Sequence, residues 1–278
     1  MKAALMVVSA LFAALAVPAA AAEPAIPNFW DSRERLPKPD LSQLERLRFL
    51  TATDFPPFNF IDSGGRITGF HVDLARAICA ELDLRERCQI QALPWDELEE
   101  ALARGDGEAI VAGLAVTAET RGRLAFSRSY MRFPARFLVS KASDLAEPIH
   151  VALGGKRVGV LDGSGYERML RDLFPDARPV TYSRGEWLHD DLKQGKLDAA
   201  FGDGMQLSFW LAGSQAAGCC RFAGGPYLAP EYLGPGLAIA TSAEDGELVA
   251  AFNYALGAIH AKGIFAELYL RYFPVSFF

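Results

Sequence analysis

Residues Ile110–Phe126, IVAGLAVTAETRGRLAF, decide how the chain is read, because an apolar strand runs through small residues into the start of a helix. At the C-terminal end of a strand in an α/β sheet, free backbone N–H groups and the positive end of the next helix converge on one point, which favours a ligand. Ala112, Gly113 and Ala115 let a bound molecule approach the backbone, and Thr117 before Ala118 and Glu119 is a suitable N-cap. Many α/β crossovers carry small residues here without binding anything, so the stretch marks a place rather than an activity.

On its N-terminal side, Leu47–Ala52 reads as a strand, and the aromatic stretch Asp54–Phe60 as a loop without regular structure. A turn at Ser63-Gly64-Gly65 leads to a helix over His71–Leu82, with apolar residues at 74, 75, 78 and 82. A strand at Gln89–Ala92, a helix over Trp95–Arg104 closed by Gly105 and a strand at Ala109–Ala112 follow. This alternation predicts parallel strands with right-handed crossovers. The β-rich run Tyr130–Lys141 breaks it, as a segment leaving one lobe for another would.

A second set then begins: strand Arg157–Leu161, turn Gly163-Ser164-Gly165, helix Tyr166–Leu173, strand Pro179–Tyr182, helix Gly185–Gln194, and strand Asp198–Phe201 before Gly202-Asp203. Beyond a glycine- and proline-rich region, 213–236, strand Gly236–Ala240 returns to the first lobe, and helices Glu247–Lys262 and Ile264–Tyr272 close the chain. Two α/β sets joined by two crossings predict two lobes hinged across a cleft.

Composition agrees. A chain of 278 residues, 51% hydrophobic and 22% charged, is globular and large enough for two lobes. Lys2, the apolar run Ala3–Val17, Pro18 and Ala20–Ala22 form a secretory leader with cleavage near Ala22, the run being shorter than the roughly 20 residues that span a bilayer. The expected destination is the periplasm. Residues 23–46 hold four prolines and no sustained period, which fits an extended arm pinned by Phe29 and Trp30 or an unstructured leader equally well. The formal charge is −6, and −7 once Lys2 is removed, with no basic run, which argues against nucleic acid as a partner.

In an oxidising compartment Cys79 and Cys88 favour a short-loop disulfide over two buried thiols. For Cys219-Cys220 a tight-turn disulfide and two thiols both remain open. The four histidines are scattered, so no metal site and no cofactor is expected. Phe55 and Trp95 lie near strand ends where rings stack on flat or cationic ligands. Asp203 sits where a carboxylate meets an ammonium group, or caps a helix before Met205. Ser164, between glycines at a helix start, suits an anion better than nucleophilic catalysis, since GSG is not a nucleophile elbow.

The blocks TATDFPPFNF, GRITGFHVDLARAIC, PWDELEEALARGDGEAIVAGLAVT, LAFSRSY, KRVGVLDGSGYE, LKQGKLDAAFGD and AFNYALGAIHAKGIFAELYLRYF, in this order, resemble the polar amino-acid family of periplasmic solute-binding proteins, the receptors of ABC importers. The resemblance covers about Leu47 to Phe273. It implies the two-lobed, type II periplasmic-binding-protein fold of α/β class, with two hinge strands. Lobe 1 would comprise 47–138 plus 235–278, and lobe 2 139–234.

By the same resemblance Phe55 and Trp95 are the two aromatic contacts. Ala112, Gly113 and Ala115 take the place of backbone and serine contacts. Ser164 and Gly165 grip the ligand's carboxylate, Asp203 pairs its α-ammonium, and Cys79 and Cys88 match a disulfide of some members. The departure is at Thr120, where the family usually carries its carboxylate-binding arginine; Arg121 stands one residue late, which on a helix is a rotation of about 100°. The resemblance implies a small polar or cationic solute, a membrane permease of an ABC importer as partner, and a monomer without enzymatic activity. The alternatives are an accessory or sensor protein of this fold that has lost amino-acid binding, and a cyclohexadienyl-dehydratase-like enzyme.

Overall fold

The computed structural model describes residues 26–31 and 33–278; the expected leader and its cleavage near Ala22 lie outside the described residues. The first lobe opens with Leu47–Thr51 (β1), followed by Asp54–Phe55 (β2), Asn59–Ile61 (β3) and Ile67–Thr68 (β4). Helix Phe70–Glu81 (α1), Cys88–Ala92 (β5), Leu98–Ala103 (α2), Ala109–Ile110 (β6), the short helix Ala118–Arg121 (α3) and Leu124–Phe126 (β7) complete its first pass. The second lobe runs through Ala135–Ser140 (β8), Ile149–Ala152 (α4), Arg157–Leu161 (β9), Gly165–Leu173 (α5), Arg178–Tyr182 (β10), Gly185–Lys193 (α6), Ala199–Asp203 (β11), Gly204–Ala212 (α7), Cys220–Tyr227 (β12) and Pro230–Leu233 (α8). The chain returns with Ala240–Ser242 (β13), Gly246–Ala261 (α9) and Ile264–Tyr272 (α10).

The sheets run β5-β1-β6-β13-β7 and β10-β9-β11-β8-β12. In both, the first three strands are parallel and the remaining pairings antiparallel, so the lobes repeat one topology. The period of two along β1 explains its burial: Phe49 faces Phe252 of α9 at 5.5 Å, and Leu50 joins Leu98 and Leu102 of α2 on the other face. In the second lobe, Val158 and Val160 pack with Met169 and Leu170 of α5, while Leu138 and Ala200 pack with Leu188 and Leu192 of α6. Covering both faces is what a parallel sheet requires.

Four expectations change. The aromatic stretch is a small antiparallel sheet, β2-β3-β4, because Asp54↔Phe60 and Phe60↔Thr68 pair across two turns. The region 213–236 contains the eight-residue strand β12, hidden in the sequence by Gly224-Gly225-Pro226, where its register against β8 shifts. The boundary drawn between 138 and 139 falls inside β8, all of which pairs in the second sheet, so the crossing precedes Ala135. Residues 236–239 belong to the return crossing: Leu237 bridges Met131, with Leu237 N–H donating to the Met131 carbonyl at 2.7 Å.

The arm lies along the first lobe. Phe29 meets Phe278 edge-on at 5.6 Å, Trp30 lies 5.7 Å from His260, and Glu34 pairs with Arg128. Both cysteine pairs are bonded, Cys79–Cys88 at 2.00 Å and Cys219–Cys220 at 2.06 Å.

Candidate functional site

The parallel pair β1 and β5 ends in register, Thr51 beside Ala92, so the loops that follow emerge side by side. Between them is a recess of about 360 Å³, lined by Ala52, Thr53, Asp54, Leu93, Pro94 and Trp95. Trp95 is 46% exposed and Asp54 is exposed, which places an indole face and a carboxylate together at the C-terminal edge of the sheet. Phe55 stacks on Phe58 at 4.8 Å and abuts Gly113. A Cβ at Gly113 would stand 2.9 Å from Phe55 Cε1, and its φ of +90° is a conformation side chains resist, so glycine is what lets the two loops close on each other. Ala112, buried at the end of the central strand, and Ala115 complete this small-residue turn.

Thr120 is a structural residue. Thr117 Oγ1 accepts from Thr120 N–H at 3.1 Å, and Thr120 Oγ1 accepts from Thr117 N–H at 2.9 Å while donating to the Ala115 carbonyl at 2.8 Å. That reciprocal cap holds the turn which the family's arginine would use. Arg121 does not replace the arginine by rebuilding the turn; its guanidinium lies over Phe126, 5.9 Å from the ring centre.

On the second lobe, the anion-gripping role expected of Ser164 meets a competitor. Ser164 Oγ donates to the Leu161 carbonyl at 2.7 Å and accepts from Glu167 N–H at 3.1 Å, capping α5. The Gly163 N–H donates to the Glu167 carboxylate at 2.8 Å, so the loop already holds an anion of its own. Arg171 and that N–H keep Glu167 below the usual carboxylate range. Gly165 is required by close packing, since a Cβ there would come 2.6 Å from the Tyr232 carbonyl.

Asp203 ends β11 and caps α7, as the alternative reading allowed: Oδ1 accepts from Met205 N–H at 2.8 Å and Gln206 N–H at 3.1 Å. Its other oxygen accepts from the Tyr166 hydroxyl at 2.9 Å. Burial raises the Asp203 pKa against the lowering effect of these three donors, so a nearby cation would be welcomed. The Tyr166 hydroxyl is pushed far up, first by burial and then by the neighbouring carboxylate. The structure therefore brings Phe55 against Gly113 and Tyr166 to Asp203, and it places the Arg121 guanidinium over Phe126. Asp54 and Tyr166 escaped sequence reasoning. Asp54 had one signal, its place between a strand end and Phe55. Tyr166 had none that pointed 37 residues away to Asp203.

The family model for bacterial extracellular solute-binding proteins, family 3, matches residues 47–275. The chain belongs to this family. The L-arginine-binding protein of Pseudomonas aeruginosa is 31% identical over 79% of this chain and 84% of its own. The lysine/arginine/ornithine-binding periplasmic protein of Escherichia coli K12 is 30% identical over 84% of this chain and 89% of its own. Among solved structures, an ancestral cationic amino acid solute-binding protein aligns with a TM-score of 0.59 at 25% identity, covering 84% of this chain and 97% of the other. This family 3 protein is thus an extracytoplasmic solute-binding receptor of the kind that serves ABC importers, and the relatives named here are binding proteins. The small-residue turn, the aromatic loops and Asp203 all lie at the C-terminal edges of the two sheets.

Proposed function

We propose that this receptor captures an organic cation, an amine or guanidine without need of an α-carboxylate, between the Asp54–Trp95 recess and Asp203, and delivers it as a monomer to an ABC permease in the periplasm. The observation that carries the reading is the pairing of charges and rings. The lobe 1 recess offers a carboxylate beside an indole, a combination suited to a cation. Lobe 2 offers Asp203, whose desolvated carboxylate gains from a positive partner. The opposite end of an amino acid is poorly served: Thr120 stands where the arginine would be, and Glu167 occupies the Gly163 donor. The names of the relatives, which bind arginine, lysine or ornithine, agree in cationic character. The amines left when such amino acids lose their carboxylate fit the remaining groups.

The deciding experiment is isothermal titration of the protein with agmatine, putrescine, choline, arginine and succinate. Saturable binding of agmatine or putrescine, tighter than that of arginine and weakened at least tenfold by Trp95→Ala and by Asp54→Asn, is the expected result. Arginine binding more tightly than agmatine, or affinities indifferent to both substitutions, would refute the amine reading.

A further inference from the structure

Asn59 holds the segment Ala52–Phe55 at both ends. Its backbone pairs with Phe55 across β2 and β3, and the Phe58 N–H closes the turn between them by donating to the Phe55 carbonyl at 2.8 Å. The Asn59 side chain reaches back to the start of the segment, where Nδ2 donates to the Ala52 carbonyl at 2.9 Å. Ala52, Thr53 and Asp54 line the recess of lobe 1, so the peptide plane after Ala52 governs how Thr53 and Asp54 enter it.

Behind Asn59 stands a directed series of hydrogen bonds. Asn59 Oδ1 only accepts, so His71 Nδ1, 2.7 Å away, carries the proton, and Nε2 presents the lone pair that accepts from the Tyr130 hydroxyl at 2.8 Å. Asn59, His71 and Tyr130 are wholly buried, and burial keeps the imidazole neutral by depressing its pKa to about 3. Every donor points the same way, from Tyr130 toward Ala52, an arrangement in which successive bonds polarise one another. Tyr130 itself belongs to the crossing between lobes: its N–H donates to the Leu237 carbonyl at 2.9 Å, next to the Met131–Leu237 bridge. The series thus runs from the place where the two crossing segments meet to the loop that bears Asp54. Apolar side chains of matching shape fill a core at little cost, so three polar ones in series mark a demand for position rather than for bulk.

We propose that Asn59, His71 and Tyr130 are positioning residues of the solute site: through the Ala52 carbonyl they fix the loop that carries Asp54, and through Tyr130 they tie that loop to the interlobe crossing. None of the three lines the recess; they hold the groups that do. A loop released from the series has more arrangements to lose when it meets a cation, so affinity falls although no contacting group has been removed. The role of Asp54 rests on the amine reading of the cleft, whereas the coupling of Tyr130 to Ala52 does not.

The test compares wild type with Tyr130→Phe, which keeps the ring beside Phe70 (6.4 Å) and removes only the hydroxyl, by NMR of the ¹³C,¹⁵N-labelled protein and by agmatine titration. The expected result is a shift of the Asn59 side-chain amide, the Ala52 carbonyl carbon and the Thr53 and Asp54 amides, with Leu47 and Arg48 at the far end of β1 unmoved. Agmatine should bind the folded variant about threefold or more weakly. Asn59→Leu, which removes the donor to Ala52, should lose more affinity than Tyr130→Phe; if it does not fold, Tyr130→Phe decides alone. An Ala52 carbonyl and Asp54 amide that ignore Tyr130→Phe overturn the proposal, whatever the cleft binds. Unchanged affinity in a protein that binds agmatine also overturns it, and leaves the series as part of the core. Wild type that binds no agmatine while Ala52 still answers Tyr130→Phe refutes the amine reading and supports the coupling.

Discussion

Asp203 separates two roles that one substitution would confuse. Its Oδ1 caps α7 and its charge is proposed to meet the ligand. Asp203→Ala removes both, and should lower unfolding free energy by about 1–2 kcal/mol through the lost cap while abolishing cation binding. Asp203→Asn keeps an acceptor for Met205 and Gln206, so stability should fall by less than about 1 kcal/mol while agmatine affinity still drops tenfold or more. Urea unfolding and titration calorimetry on the pair distinguish the roles; wild-type affinity in the Asn variant would leave Asp203 as a cap alone. His71 carries a second prediction. It is fully buried, receives the Tyr130 hydroxyl at Nε2 (2.8 Å) and donates from Nδ1 to Asn59 Oδ1 (2.7 Å), while Asn59 Nδ2 donates to the Ala52 carbonyl at 2.9 Å. Burial depresses its pKa to about 3, against about 6.5 unfolded, so between those values the unfolded chain binds the extra proton. Its contribution is complete above about pH 6.5 and is lost as pH falls toward 3, by up to about 1.4 kcal/mol per unit. Urea midpoints at pH 4.5 and 7 should converge in His71→Gln relative to wild type. An unchanged difference would assign the acid sensitivity to other groups, His260 first.

At the scale of elements, the turn after β6 is where sequence and structure can be compared most closely. Gly113→Ala should destabilise by about 1–3 kcal/mol, from the positive φ and the crowding of Phe55, and should displace the Phe55 ring seen by NMR. An unperturbed Phe55 would show that the loops do not depend on that contact. Thr120→Arg is the converse experiment. It should cost about 1–2 kcal/mol by opening the Thr117 cap, and combined with Ala115→Ser it should raise arginine affinity relative to agmatine. If the ratio does not move, the missing arginine is not what sets the ligand class. The strand–helix alternation was legible in the sequence because its signals, hydrophobic period and glycine stops, are local to each element. The aromatic sheet β2-β3-β4 and strand β12 were not, since short strands and a glycine-proline bulge carry little period. The site was half legible on the same principle. Phe55, Trp95 and the Thr117 cap follow from positions along the chain, whereas the Tyr166–Asp203 bond and the diversion of Arg121 to Phe126 are set by tertiary neighbours.

The whole molecule adds a constraint that neither lobe has alone, a clamp at the junction. The C-terminal tail of lobe 1 reaches lobe 2: Arg136 on β8 donates from Nη1 to the Phe277 carbonyl at 3.3 Å and lies 4.5 Å from the centre of the Phe222 ring. Phe209 of α7 lies 6.0 Å from Phe273, and Gly204 N–H donates to the Pro134 carbonyl at 2.9 Å. Across the binding faces, by contrast, no hydrogen bond or ring contact joins the Phe55–Trp95 side to the Tyr166–Asp203 side among the described residues. Lobes that rotate about two crossing strands to enclose a ligand must change one set of contacts for the other. A contact present only in the separated arrangement taxes binding by its own free energy, a factor of ten for each 1.4 kcal/mol. Arg136→Met keeps the apolar length of the side chain against Phe222 and removes the bond to Phe277. If the clamp favours separation, this variant should bind agmatine several-fold more tightly and show a smaller radius of gyration by X-ray scattering before ligand is added. Equal affinity and an equal radius would mean that the tail moves with lobe 2, and that closure turns only at the Met131–Leu237 bridge.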